Sequence, residues 1–503
     1  MTNCVKQHKC AKDATLPLLP DRVIWIEANN TSGIRLLEPK NIYAKYIALS
    51  YCWGAVSANT YLLKPQNLNA IKVGIELSDL PPLFQDIISI ARSIGIEYIW
   101  IDRLCIIQGD DSDFRSQAEK MGEIYGNATL TISAASATSE NDRILISRDD
   151  KWSAANLEMD INGIGNLSVG IRRRSYGLAT EVSGGDYGKV STRAWIWQER
   201  LLATRTVFFT PAALKFECRC HSIWEGFGEG YTGNSWSAKL DNMTHLAWLS
   251  LVEEYMSRNI TRPSDRLPAM NAVMKRIEKS TGWLPFWGLW ANALVPSMGW
   301  KAKDGAEHGN GKCLKNLDHC APTWSWASVN APISYHDARG IKGVENDPIE
   351  WDLECQSING DSGLIRVTGQ TVLIYLHVTV ERDKQEDNPN ERKFTYKYDV
   401  RGIANDKGYP ITPDVALKPW NGDLEGEDVS TVIRVPYGET PPEESWRSPC
   451  ACILVGKTKL RSLVLFLGRS LREPGYTWER IGMTDGISPA VFSKARRLTI
   501  DMI

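Results

Sequence analysis

Along the chain the apolar positions change period, and the changes mark alternating strands and helices. YIALSY (46–51) is a short apolar run of strand character and is read as the first central strand. From 79 to 95 the spacing becomes helical. Leu83, Ile87, Ile90, Ala91 and Ile94 share a stripe, Asp79 is the expected cap, Pro81 and Pro82 stand at the start, and Gly95 ends the run. IEYIWID (96–102) is apolar at successive positions, as a strand covered on both faces requires. A second helical stripe, Phe114, Ala118, Met121 and Tyr125, runs to Gly126-Asn127. ATLTISAAS (128–136) reads as another strand, and 191–210 as a short helix followed by a strand. Strands alternating with helices predict an α/β domain with a mainly parallel, doubly wound sheet.

Beyond this region the texture changes. Residues 151–190 read as a polar, glycine-containing insertion, 240–300 as helix-rich, and the chain from 322 onward as short strands, TWSWASV (323–329) among them. Residues 383–393 (DKQEDNPNERK) read as a charged surface loop. At 503 residues the chain is too long for one core. The expected division is an N-terminal tail (1–19), an α/β domain (20–215), a helical, Trp-rich segment (216–335) and a β-rich C-terminal region (336–503).

Ligands of doubly wound sheets sit outside the carboxyl ends of the strands. That rim is where the sequence gathers its chemistry. Ser50, Tyr51, Cys52, Trp53 and Gly54 follow the first strand; Asp102, Arg103 and Cys105 follow the second; Ser133 lies near the end of the third. The planar fork of Arg103 suits a carboxylate or phosphate, and Asp102 either anchors a ligand or holds the sheet edge. Cys52 and Cys105 read as small buried residues rather than reactive thiols. In WQER (197–200), Trp197, Gln198 and Arg200 surround Glu199, which points where the helix is otherwise apolar. A carboxylate so placed either pairs, with Arg193 or Arg103, or shifts its pKa, and Glu199 is the leading acid/base candidate. Cys218, Cys220 and His221 (CRCH) are spaced too tightly for a zinc pair, and no second pair follows nearby, so no metal is expected. There is no phosphate-binding glycine-rich loop; GNGKC (309–313) lacks the spacing. No cofactor is expected.

Charge narrows the partners. With 58 basic and 60 acidic residues the net charge is −2, which leaves no excess to neutralise phosphates, so nucleic acid is excluded as a main partner. No apolar stretch is long enough to cross a bilayer and the N-terminus lacks the apolar core of a signal peptide. Eleven cysteines, an odd number, fit reduced thiols. The expectation is a cytoplasmic protein whose partners are a small-molecule or nucleotide-like ligand and further copies of itself. Nineteen tryptophans are expected to fill large cores.

YIALSYCWG (46–54) followed by YIWIDRLCIIQGD (98–110), AEKMGEIYGNATLTISAAS (118–136) and RAWIWQERLL (193–202) resembles the fungal heterokaryon-incompatibility (HET) domain family. YMSRNITRPSDRLPAM (255–270) and APTWSWASV (321–329) look like segments that follow the domain in long family members. The resemblance implies a TIR-like, flavodoxin-like sheet and a role in non-self recognition and cell death. Some TIR domains cleave NAD with a helical glutamate three residues after an aromatic. Here Phe114 stands for that aromatic and Gln117 for the glutamate. Glutamine orients a ligand but is no general base near neutral pH, so this route to NAD cleavage is disfavoured. Three functions remain: incompatibility signalling through a ligand-binding domain; a cyclase or isomerase of secondary metabolism reusing the pocket; and a NAD-cleaving nucleosidase whose acid has moved to Glu199.

Overall fold

The computed structural model describes residues 4–8, 10, 16–27, 33–54, 61–153, 155–161, 165–171, 188–225, 240, 243–303, 320–335, 349–382, 394–401, 408–424, 426–436, 438–472 and 477–503. The chain divides into two compact units. The first comprises residues 1–243 with 258–260 and 268–280, and the second 244–257, 261–267 and 281–503.

The first unit is built on a nine-stranded sheet. In chain order its elements begin with β1 (Val23–Trp25), β2 (Gly33–Leu37), β3 (Tyr46–Ser50), α1 (Leu68–Val73), β4 (Ile75–Glu76), α2 (Pro82–Ser93) and β5 (Tyr98–Trp100). They continue with α3 (Asp102–Cys105), α4 (Asp111–Asn127) and β6 (Leu130–Ser133). Then come the hairpin β7 (Ala155–Ile161) and β8 (Gly165–Ile171), α5 (Ala194–Leu202), β9 (Arg205–Phe209), β10 (Leu214–Cys218) and β11 (Ser222–Trp224). The strand order is β11-β10-β9-β6-β3-β5-β1-β2-β4. The four central strands β9, β6, β3 and β5 are mutually parallel, with Ser50 opposite Ser133 and Ile47 opposite Ile99. The flanks β1-β2-β4 and β10-β11 are antiparallel. The expected parallel sheet is therefore its centre. The antiparallel strands β1 and β2 come before the expected first strand, in VIWIE and GIRLLE, and the sequence reading passed over them.

Local sequence explains the two principal helices. Pro82 occupies the first position of α2, where its missing N–H costs nothing, and the residue before it, Pro81, is the cap. Asp79 instead belongs to a short 3-10 turn, Leu77–Asp79, which corrects the expected cap. Gly95 after α2 has φ +70°, the left-handed conformation that glycine supplies without strain. In α4 the Asp110 carboxylate accepts from the backbone N–H groups of Ser112 and Asp113, both at 3.0 Å. Leu83, Phe84, Ile87, Ile88 and Ala91 of α2, and Met121, Ile124 and Tyr125 of α4, are buried in one core with Ile47, Leu49, Ile99, Trp100 and Ile132 of the parallel strands. β7 and β8 form a solvent-exposed hairpin within the stretch read as an insertion.

The second unit carries α6 (His245–Met256), α8 (Leu294–Ser297) and a ten-stranded sheet, while α7 (Pro268–Thr281), up to Ser280, belongs to the first. The 19-residue strand Leu364–Arg382 pairs antiparallel with Glu354–Asn359, Phe394–Arg401, Trp446–Lys457 and Arg496–Met502. Inside the unit, Arg480 and Asp414 form a fully buried pair, Nε to Oδ2 2.6 Å, with the guanidinium 3.6 Å from the Trp300 ring centre. TWSWASV is not a strand. Residues Trp326–Ser328 form a 3-10 turn whose start is capped by the Ser325 hydroxyl, and Thr323 to Val329 are all buried. A strand with one open face would bury alternate residues only. The Trp326 indole N–H donates to the Gly288 carbonyl (2.9 Å) and that of Trp324 to Gly363 (2.9 Å). The loop expected at 383–393 lies outside the described residues.

Candidate functional site

The polar groups at the carboxyl ends of the parallel strands form a buried network. Its foundation is the loop after β6. Buried Asp86 of α2 accepts from Arg143 Nη1 (2.6 Å) and from the backbone N–H groups of Ile144 (2.8 Å) and Leu145 (3.1 Å). The backbone N–H of Leu83 donates to the Glu140 carbonyl (3.0 Å). These anchors bring Glu140 to Arg103, and the two side chains form a buried salt bridge. Gly54, expected to touch a ligand, has a packing role: with φ +71°, it lets the chain pass where a Cβ would lie 2.5 Å from the Ser139 Cβ.

Trp53 covers this pair. Its ring lies 4.6 Å from the Arg103 guanidinium, its carbonyl accepts from Arg103 Nη2 (2.8 Å), and its indole N–H donates to Asp102 Oδ2 (2.5 Å). Asp102 Oδ1 also accepts from the Arg103 backbone N–H at 2.7 Å. Burial raises the Asp102 carboxyl above its usual range, while the Trp53 and Arg103 hydrogen bonds work against that shift.

α5 delivers Glu199 to the same rim. Burial pushes its carboxyl up to about 7, aided by the nearby charge of Asp102. Hydrogen bonding from Ser50 and the charge of Arg193 oppose the rise. Arg193 does not close a salt bridge with it; the guanidinium donates to the Tyr51 carbonyl at 3.1 Å, and Arg103 is committed to Glu140. The ion-pair alternative for Glu199 is thus not what the geometry holds. Tyr125 of α4, whose hydroxyl donates to the Leu49 carbonyl (3.0 Å), also borders Glu199.

Several buried polar atoms of this region have no hydrogen-bond partner: Tyr51 Oη, Ser133 Oγ, both amide atoms of Gln198 and Glu199 Oε2. Interiors seldom tolerate such atoms, each costing about 1–3 kcal/mol if left dry. A carboxyl held at about 7, as that of Glu199 is, can give or take a proton near neutral pH.

Other expected residues lie elsewhere. The Gln117 amide donates to Asp21 Oδ2 (2.9 Å), which also pairs with Lys120 (2.5 Å), so Gln117 serves the segment before β1. Phe114 packs edge-on against Trp195 at 6.1 Å. Arg200 pairs with Glu217 of β10 (2.9 Å), and Trp197 is buried. The Cys105 thiol is fully buried and pushed up to about 12, and burial likewise raises that of Cys52. Glu140 was missed, since ATSEND reads as an ordinary loop. Cys4, His8 and Cys10, from the start of the chain, lie close to Cys218.

Among the described residues no helix is long and apolar enough to cross a membrane. Searches of curated proteins and of solved structures return no match. Residues 46–199 match the family described as heterokaryon incompatibility protein (HET), a span that runs from the first residue of β3 to Glu199 itself. Over those residues the chain is similar to the HET family.

Proposed function

We propose that the protein acts in fungal heterokaryon incompatibility, as a cytoplasmic signalling protein whose TIR-like domain binds a small polar or nucleotide-like ligand at the carboxyl rim of the sheet. The observation that carries this reading is the set of buried, unpartnered polar atoms on Tyr51, Ser133, Gln198 and Glu199 beside the Arg103–Glu140 pair. Ligand binding then shifts the equilibrium between silent and signalling states, self-association being one output. The test is controlled expression in a filamentous fungus. Wild-type protein is expected to arrest growth and kill cells, and Glu199→Gln, which keeps the side-chain shape, to weaken the response. Normal growth at high wild-type expression sinks the proposal.

A second reading rests on the Glu199 carboxyl, held at about 7 and well placed to give or take a proton. In it the domain acts on a small molecule, NAD being the first to try and the substrates of cyclases or isomerases next. Turnover by wild type should fall about 10²–10⁴-fold in Glu199→Gln. Gln117→Glu should not create NAD cleavage, because a carboxylate there faces Asp21. Turnover that survives Glu199→Gln, or appears with Gln117→Glu, defeats this reading.

A further inference from the structure

The sequence holds Cys4, His8 and Cys10 within its first ten residues, and Cys218 more than two hundred residues later. One π-helical turn, Cys4–His8, places Cys4 and His8 four apart on a common side, and Cys10 follows directly. Cys218 is the last residue of β10. One ligand atom from each of these four residues lies within 4.8 Å of all the others. The three cysteines are buried and His8 is half-buried.

The geometry points to a structural zinc site with Cys4, His8, Cys10 and Cys218 as its four ligands. Zinc bonds of about 2.3 Å to sulfur and about 2.0–2.1 Å to nitrogen, set tetrahedrally, put sulfur and nitrogen about 3.6 Å apart. The Cys218 Sγ to His8 Nδ1 distance is 3.5 Å. A Cys3His set closes the coordination sphere, as in zinc sites that hold a fold together rather than catalyse. Three thiolates and one divalent ion leave a net charge of −1. Arg205 answers it, its Nε 3.2 Å from Cys4 Sγ in a buried contact. Binding from the protonated state releases three thiol protons to solvent while neutral His8 donates its ring nitrogen. Cys220, exposed, has its sulfur 3.6 Å from that of Cys10, and stands as the rival fourth ligand or disulfide partner. Three of the four ligands, Cys4, His8 and Cys10, lie far upstream of CRCH, where local spacing does not reveal them.

The test uses the full chain, purified under reducing conditions with zinc supplied, and measures bound metal. About one zinc per chain is expected, retained through dialysis, and its removal by a chelator should lower the thermal midpoint. Cobalt(II) replacing zinc should give intense tetrahedral d–d bands and thiolate charge-transfer absorption. Cys10→Ser should lose metal at least tenfold, whereas Cys355→Ser, elsewhere in the chain, should not. If Cys10→Ser fails to fold, His8→Cys decides. It should keep the metal and shift the cobalt spectrum from a three-sulfur to a four-sulfur pattern. Absence of stoichiometric zinc together with absent cobalt bands overturns the site. So does an unchanged spectrum in His8→Cys with loss in Cys220→Ser, or a Cys10–Cys220 or Cys4–Cys218 disulfide as the main state in protein purified without reductant.

Discussion

Glu199 sets a pH dependence whose sign follows from its surroundings. An ordinary glutamate titrates near 4.5 and this one near 7 in the folded state. Between those values the folded chain holds a proton that the unfolded chain has lost, so folding stability falls as pH rises through that window. The loss is about 3 kcal/mol once both states are ionised. Glu199→Gln stays neutral and should abolish the slope. Urea denaturation should find it more stable than wild type at pH 8 and equal to it near pH 4; equal stabilities at both would refute the assignment. The Arg103–Glu140 pair behaves differently, because both charges are buried. Glu140→Ala leaves a guanidinium without its counter-charge and should cost about 3–5 kcal/mol. Replacing both, Arg103→Met with Glu140→Leu, should restore much of that, which urea midpoints would check. Only half of this pair was legible in the sequence. Arg103 follows an apolar strand, where a charge stands out, whereas Glu140 sits in a polar loop, where a carboxylate is unremarked.

At the scale of elements, the contact of α4 with α7 depends on missing atoms. A Cβ at Gly122 would meet the Ala272 Cβ at 2.5 Å. Alanine favours a helix over glycine by about 1 kcal/mol, yet Gly122→Ala alone should destabilise by about 1–3 kcal/mol through overpacking. In an Ala272→Gly background the clash disappears and Gly122→Ala should turn neutral or stabilising. A double-mutant cycle by chemical denaturation reads the coupling, and additive effects would disprove close packing. This contact also shows where periodicity runs out. The stripe Phe114, Ala118, Met121, Tyr125 announced α4 because one face must be apolar, but apolar periodicity carries no mark of a close approach made at a glycine such as Gly122. TWSWASV failed for the opposite reason: its alternation mimicked a strand, while every residue from Thr323 to Val329 is enclosed.

For the whole molecule, strand order matters more than sequence order. The parallel centre was legible because buried parallel strands are continuous apolar runs, and the antiparallel flanks were not, being short and mixed. The family match begins at Tyr46 and ends at Glu199. Two neighbours essential to the centre lie outside it: β9 beside β6, and β1 beside β5. A fragment cut to residues 46–199 would hold the strands β6-β3-β5 with two raw edges, each a row of unpaired backbone donors and acceptors. We expect it to precipitate or form mixed oligomers, whereas a chain carrying residues 1–280 keeps every strand of the sheet. Light scattering of the two after refolding would tell; a monodisperse 46–199 fragment would contradict the observed pairing. The matched stretch is thus shorter than the sheet it belongs to, and a boundary drawn from similarity alone would cut through the middle of that sheet.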